Sequence, residues 1–145
     1  MRVLVDTSIW SLAFRRNKNI SIEEAGLIKE LVRIIQEMKA AIIGPIRQEL
    51  LSGISAPEQY KTLRDKLRAF EDMPIDSDDY EVAADFFNRC RKKGIQGSHI
   101  DFLICAVACR NNMPLFTLDK DFELYSRHVE VSLYIPNPPK DRSSS

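Results

Sequence analysis

Four acidic residues stand at comparable places along the chain and together could carry out chemistry. They are Asp6, Glu49, Asp101 and Asp119. Each follows a short apolar run or lies in the first turns of a predicted helix, which is where α/β sheets form ligand sites. Clustered carboxylates repel one another unless a cation neutralises them. An all-oxygen set favours Mg²⁺ or Mn²⁺ over zinc, and such an ion serves phosphate chemistry by activating water.

Each acid also has a purely structural interpretation. Asp6 and Asp119 could be turn residues that hydrogen-bond to nearby backbone. Asp101 lies three residues after a serine, a spacing typical of a capping box. Glu49 could be a solvated residue on a helix face, the commonest fate of glutamate. Because four such coincidences would be needed at once, we favour the metal cluster.

The element predicted to position Asp6 is a short strand buried on both faces. Val3, Leu4 and Val5 form an apolar run of the kind found in central strands of parallel sheets. Further strands are predicted over residues 40–43 and 115–117. Between the strands, apolar residues at helical spacing predict helices over about 22–38, 45–53, 58–70, 78–92 and 100–110. This alternation predicts an α/β fold with a parallel sheet covered by helices on both faces.

Local signals refine several of these elements. Ser21 and Glu24 form a capping box that starts the first long helix. Asp76 and Ser77 are expected to cap the helix over 78–92. The residues expected on the buried face of that helix are Tyr80, Ala83, Phe87 and Cys90. Short outer strands are predicted over 73–75 and 131–135.

Length and composition limit the class of protein. The 145 residues suit one domain, expected over 1–135, followed by a disordered tail over 136–145 that has no apolar side chain. Lysine plus arginine and aspartate plus glutamate number 21 each, which argues against a globally basic nucleic-acid binder. No apolar run is long enough for a membrane span, and no signal peptide is recognised. We therefore expect a cytoplasmic protein with three reduced cysteines.

Four segments around the acids carry a family pattern. They are Val3–Ser8, Pro45–Gly53, Ser98–Ala106 and Leu115–Phe122. In this order and spacing they resemble the PIN-domain ribonucleases, and most closely the VapC toxins of bacterial toxin–antitoxin pairs. The ordered set extends to about residue 125 and is far more specific than any one segment. The resemblance implies a small three-layer α/β/α sandwich with a short parallel sheet, in agreement with the pattern above.

The resemblance also implies a metal-dependent endoribonuclease. Asp6, Glu49, Asp101 and Asp119 would be the catalytic, metal-binding acids, and Mg²⁺ or Mn²⁺ would be the cofactor for hydrolysis of an RNA phosphodiester. Candidate supporting residues are Thr7, Ser8, Thr117 and Asp121. All four core positions are acidic, so nothing indicates an inactive member of the family. His99 adjoins the third acid, but we expect it to be exposed or packed rather than bound to substrate.

A nuclease needs cations for the substrate phosphates. Candidate RNA-binding residues are Arg15, Arg16, Lys18, Lys92 and Lys93. The last two could equally belong to a solvated helix face. Trp10 and Phe14, four residues apart, could be core or could form a surface that meets a partner. The resemblance implies an RNA substrate, a cognate antitoxin protein and a homodimer, with no membrane partner.

Other functions remain open at this point. One is a non-catalytic or differently regulated RNA-binding PIN domain, and another is a PIN-type DNA nuclease. The Asp6-Thr7-Ser8 run is also faintly similar to the Asp-x-Asp-x-Thr motif of aspartyl phosphatases, but the second aspartate of that motif is absent. Metal-dependent RNA cleavage that stops in EDTA would separate the nuclease from a binding module.

Overall fold

A three-stranded parallel sheet forms the centre of the fold in the computed structural model, which describes residues 1–14 and 19–136. Strand β1 (Val3–Val5) lies between β2 (Ala40–Ala41) and β3 (Leu115–Phe116), giving the order β2-β1-β3. All three residues of β1 are buried, as expected for a central strand with helices on both faces. The register pairs Val5 with Phe116, so β1 and β3 end side by side.

Seven helices surround this sheet in the described part of the chain. They are α1 (Thr7–Phe14), α2 (Ile22–Gln36), α3 (Gly44–Leu51), α4 (Pro57–Leu67), α5 (Ser77–Lys92), α6 (His99–Arg110) and α7 (Asp121–Ser126). Helix α1 packs against α2 and α3, while α5 and α6 pack along each other. The predicted α/β sandwich with a short parallel sheet is therefore confirmed.

The ends of the elements differ from the prediction by a few residues, and two predicted strands are reduced to single bridges. Residues 73–75 do not form a strand, and the only pairing there joins Ile42 to Asp72 among the described residues. Residues 131–135 are likewise not a strand, because only Leu133 bridges, to Leu115 of β3. Helix α7 was not predicted.

Helix α5 is rotated relative to the prediction. Its buried residues are Asp79, Ala83, Phe86 and Cys90, whereas Tyr80 is 57% exposed. Asp79 can face inward because it accepts hydrogen bonds from Arg110 of α6 at 2.8 Å and from the Asp76 backbone N–H at 2.9 Å. The buried position predicted for Tyr80 was therefore wrong, and Phe87 is only partly buried. The apolar pattern of the sequence could not reveal that Asp79 faces the core, because its partner Arg110 belongs to another helix.

Trp10 belongs to the core. It is fully buried, and its indole N–H donates to the Val5 carbonyl at 3.0 Å. Phe14 is half-buried and stacks against it with ring centroids 6.0 Å apart. This settles the alternative left open for Trp10. Within the described ranges, no helix combines the length and apolar content that a membrane span requires.

Candidate active site at the carboxyl end of the sheet

Asp6 is the first residue after β1, and its position is fixed by the backbone on both sides. Its N–H donates to the Phe116 carbonyl at 2.9 Å, continuing the pairing with β3. Its carbonyl accepts from the N–H groups of Ile9 and Trp10, which start α1. The side chain is 6% exposed. A carboxylate held this rigidly at a strand end needs polar partners for its charge.

Two hydroxyl groups supply these partners. Ser8 Oγ donates to Asp6 Oδ2 at 2.9 Å, and Thr117 Oγ1 donates to the same oxygen at 2.8 Å. Each hydroxyl has only one hydrogen, so the 3.3 Å approach between Ser8 and Thr117 is then a contact. Ser8 also accepts from the Leu118 N–H, and Thr117 from the Asp119 N–H. The start of α1 and the loop after β3 are therefore joined through Asp6.

Glu49 reaches the same region from α3. It is an exposed residue, and its Oε2 accepts a hydrogen bond from Thr7 Oγ1 at 3.0 Å. Thr7 is the residue next to Asp6 and opens α1. The helix after β2 thereby meets the helix after β1.

Asp101 lies in the first turn of α6. Its N–H donates to Ser98 Oγ, the N-cap hydroxyl, at 3.0 Å. The carboxylate does not complete the predicted capping box, because its Oδ2 accepts from the Tyr125 hydroxyl at 2.9 Å. Tyr125 belongs to α7, and it was not identified from the sequence. The spacing of Phe122 and Tyr125, three residues apart behind two acids, is the signal that could have indicated this short helix.

Asp119 and Asp121 lie between β3 and α7, and both are exposed. Asp119 Oδ1 accepts from the Asp121 N–H at 2.9 Å, so it helps to start α7. Asp121 is the first residue of that helix. The structural interpretation of Asp119 as a turn residue and its candidate role as a ligand are compatible, since Oδ2 has no hydrogen bond among the described residues.

The electrostatics link the acids to two buried groups. Burial raises the pKa of the Tyr125 hydroxyl, and its hydrogen bond to Asp101 and the charges of Asp101, Asp121 and Asp119 raise it further. Burial likewise raises the pKa of the Cys105 thiol, with contributions from the charges of Asp101 and Asp6. Tyr125 therefore stays a proton donor to Asp101 at neutral pH. Acids from different elements therefore raise the pKa values of the same two residues, Tyr125 and Cys105.

The donor set suits a hard divalent cation. It consists of carboxylate oxygens with hydroxyl groups beside them, and oxygen ligands are those that Mg²⁺ and Mn²⁺ prefer. Across residues 1–14 and 19–136, no three acidic, histidine or cysteine side chains already converge closely enough to hold a metal ion. The oxygen chemistry fits the predicted cofactor, whereas a closed coordination shell would require the carboxylates to lie closer together than they do here.

The other residues named in the sequence analysis are the predicted RNA-binding cations, the tail, the histidines and the cysteines. Arg15, Arg16 and Lys18 lie outside the described residues, as does the predicted tail from residue 137. Lys92 and Lys93 are exposed at the end of α5. His99 is exposed at the start of α6 yet stacks on Phe87, with ring centroids 4.8 Å apart. His128, the other histidine, is half-buried. All three cysteines are free thiols.

Several solved structures have a similar fold, and among them is a member of the VapBC family of toxin–antitoxin systems. FitAcB from Neisseria gonorrhoeae has a TM-score of 0.74 at 18% identity, covering 92% of this chain and 97% of that one. VapBC2 from Rickettsia felis, solved with a promoter DNA fragment, has a TM-score of 0.73 at 18% identity, covering 92% and 98%. VapBC-5 from Mycobacterium tuberculosis has a TM-score of 0.65 at 20% identity, covering 91% and 96%. At these identities the likeness shows the fold.

The family assignment comes from the sequence model. A comparison with curated protein sequences gives no significant match. The PIN domain model matches residues 3–127, a range that contains all four predicted acids and their supporting hydroxyl groups. PIN domains are generally nucleases and generally use divalent metal ions. The chain belongs to the PIN domain family.

Proposed function

We propose that this protein is a Mg²⁺- or Mn²⁺-dependent endoribonuclease and the VapC-like toxin of a toxin–antitoxin pair. The observation that carries the proposal is the environment of Asp6. This buried carboxylate follows the central strand and accepts two hydroxyl hydrogen bonds on one oxygen. Its other oxygen has no hydrogen bond among the described residues. This oxygen would be the metal ligand.

Each residue has a distinct part in the proposed site. Asp6, Glu49 and Asp101 would hold the cation, and Asp119 would complete the set. The bound cation would supply an activated water and would offset charge on the scissile phosphodiester. The remaining hydroxyl-bearing residues position these acids and are Thr7, Ser8, Thr117 and Tyr125. Asp121 starts α7, which presents Tyr125 to Asp101.

The proposed partners follow from the family and the similar structures. One similar structure is a member of the VapBC family of toxin–antitoxin systems, and another, VapBC2, was solved bound to a DNA fragment from its promoter. We propose an antitoxin protein that blocks the active site of this chain, a homodimer as the active form, and a cytoplasmic location. Residues 1–135 would be the single nuclease domain, and the segment from residue 136 would be a dispensable tail.

Cleavage of RNA by the purified chain tests the nuclease. We expect single-stranded RNA to be cut with Mg²⁺ or Mn²⁺ and left intact with EDTA. Asp6→Asn should lower the rate by about 100-fold or more, because it removes one charged ligand while keeping the shape. Asp65→Asn, in the exposed part of α4, is the matched control and should cut like the wild type.

The outcomes separate the alternatives. RNA that is bound but never cut would favour a non-catalytic RNA-binding PIN domain. Preferential cutting of DNA would favour a PIN-type DNA nuclease. Cleavage that persists in EDTA, or in Asp6→Asn, would overturn the proposed metal-dependent mechanism.

A further inference from the structure

An open groove of about 410 Å³ lies between the end of α5 and the start of α6. Its lining residues are Phe87, Arg91, Gly94, Ile95, Gln96 and Gly97. The groove therefore combines an aromatic ring, a guanidinium, an amide and glycine-containing backbone. This mixture differs from an apolar groove for a helix, because one aromatic ring and several hydrogen-bonding groups line it together.

Phe87, which lines the groove, also belongs to an aromatic stack at the rim. His99 lies on Phe87 with centroids 4.8 Å apart and planes 16° from parallel. Phe87 is held from below by an edge contact with the buried Phe102, at 5.7 Å between centroids. The Arg91 guanidinium lies 5.9 Å from the Phe87 ring centre. His99 is exposed, so this stack offers a flat surface to a further planar group.

Positive charge lies at and beside the groove, and no ion pair among the described residues neutralises it. Arg91, Lys92 and Lys93 are all exposed, and none forms an ion pair with any residue in the described ranges. Arg89, earlier in α5, is by contrast paired with Asp85 and Glu130. The free cations therefore cluster beside the groove, and they favour an anionic occupant.

The groove is adjacent to the candidate active site. Gly97 approaches the Tyr125 hydroxyl so closely that a Cβ atom there would lie 2.6 Å from it. The same hydroxyl donates to Asp101. His99 is two residues before Asp101 on α6. A chain that occupies the groove would therefore continue directly to the acids.

We propose that this groove and the His99–Phe87 stack at its rim bind the single-stranded RNA substrate, with one unpaired base on the stack. The base stacks on the exposed His99 ring, which Phe87 supports. The adjoining RNA chain lies in the groove beside Gln96, with its phosphates against Arg91 and the neighbouring lysines. The inference rests on the proposed ribonuclease function and assigns a base-binding subsite to it. Stacking on aromatic side chains is the usual means of holding unpaired bases.

Steady-state cleavage of a single-stranded oligoribonucleotide tests the subsite. Loss of a stacked base typically weakens binding about tenfold or more. His99→Ala should therefore raise KM about tenfold and change kcat less than about threefold. His99→Phe, which keeps a flat ring, should stay within about threefold of the wild type in KM. His128→Ala is the matched control, since it removes the other histidine, and it should change neither constant.

A second arm identifies the stacked base. One position of the RNA at a time is replaced by an abasic nucleotide. At one position we expect the replacement to raise KM in the wild type but not in His99→Ala, because the interaction is already missing there. Replacing Lys92 and Lys93 together by alanine should reduce the slope of log KM against log salt by about 0.7 for each phosphate that the variant no longer neutralises.

Each result decides the inference. RNA cleavage with unchanged KM in His99→Ala would overturn the subsite and leave the nuclease intact. Absence of cleavage, with binding by fluorescence anisotropy that still depends on His99, would overturn the nuclease and retain the subsite. Absence of both would overturn both. Unchanged RNA kinetics together with loss of an acidic protein partner in His99→Ala would reassign the groove to protein recognition and overturn the inference.

Discussion

Thr117 contacts Asp6, Asp119 and Ser8 at the candidate active site. Its single hydroxyl donates to Asp6, accepts from the Asp119 N–H at 3.0 Å and touches Ser8. It therefore sets the orientation of one proposed ligand and the position of another. Such supporting groups usually matter nearly as much as the ligands themselves.

Replacing Thr117 with valine keeps the shape and removes the hydroxyl. We expect cleavage to fall about 10- to 100-fold and the Mg²⁺ concentration for half-maximal rate to rise, because Asp6 loses one of its two donors. The measurement is a Mg²⁺ titration of the initial rate. Thr62→Val is the control, since that exposed hydroxyl donates only to the Glu58 carbonyl. If Thr117→Val needs the same Mg²⁺ concentration as the wild type, Thr117 does not position the proposed metal ligands.

Glu30, away from the candidate active site, is expected to make a pH-dependent contribution to the stability of the fold. Its carboxylate accepts from Arg33 and from the Tyr134 hydroxyl, and these bonds tie α2 to the segment that bridges β3. The Arg33 hydrogen bond lowers the pKa of Glu30 below its usual value, burial opposes this, and the Tyr134 hydrogen bond lowers it further. The folded state therefore favours the ionised form.

This linkage predicts how Glu30→Gln compares with the wild type. A lowered folded pKa gives stability that is present above the unfolded value of about 4.3 and is lost as pH falls through the folded pKa. The difference in free energy of unfolding should be largest above about pH 5 and should shrink toward about pH 3, as measured by urea denaturation. Glu81→Gln, at an exposed site without an ion pair in the described ranges, should show little difference throughout. A constant Glu30→Gln difference would contradict the linkage.

At the scale of elements, the loop between α5 and α6 is shaped by a close approach. Gly97 lies against Tyr125 and Phe102, and a Cβ atom there would be 2.6 Å from the hydroxyl and 2.7 Å from the ring. Only a glycine leaves room for the Tyr125 hydroxyl to reach Asp101. The loop, α6 and α7 are therefore positioned together.

Alanine at position 97 should lower the stability of the fold. We expect Gly97→Ala to lower the free energy of unfolding by roughly 1–3 kcal/mol, since overpacking forces its neighbours to move. Gly26→Ala, within α2, is the control: its Cβ would meet nothing within 4 Å, and it should stabilise by about 0.5–1 kcal/mol. Denaturant melts of both variants test the pair. If Gly97→Ala leaves the free energy of unfolding unchanged, the loop can move away from Tyr125 and Phe102 without cost, which would contradict the prediction.

The sequence predicted those elements whose signals are local. The apolar run of β1 and the Ser21–Glu24 capping box both appear in the structure. What it missed depends on distant partners. Asp79 faces inward because Arg110 lies opposite, and Asp101 bonds to Tyr125 rather than completing a cap. The positions of the acids after strands or at helix starts could be predicted from the sequence. The hydrogen bonds that orient Asp6 could not, because they depend on Thr117 of a distant segment lying beside it in the folded sheet.

At the scale of the whole molecule, a net charge of zero conceals a division of charge. The proposed acidic ligands lie at the carboxyl end of the sheet, and cations without an ion pair in the described ranges lie at the end of α5, next to the groove that reaches Tyr125 through Gly97. An anionic substrate would be repelled by the acids until a cation is bound, and would be drawn to the adjacent basic surface. Binding of metal and of substrate should therefore reinforce each other.

The proposed biological role is a growth-arresting ribonuclease held in check by a partner. The proposed nuclease would have to bind RNA with the surface of its PIN domain or stay blocked by a partner until needed. Induced expression in a bacterium compares the wild type, Asp6→Asn and the control Asp65→Asn, with soluble protein measured for each. We expect arrest by the wild type and by Asp65→Asn, but not by Asp6→Asn. Equal arrest by all three would show that toxicity does not come from metal-dependent cleavage. Arrest by none would remove the toxin role, while the EDTA-sensitive assay would still decide the nuclease.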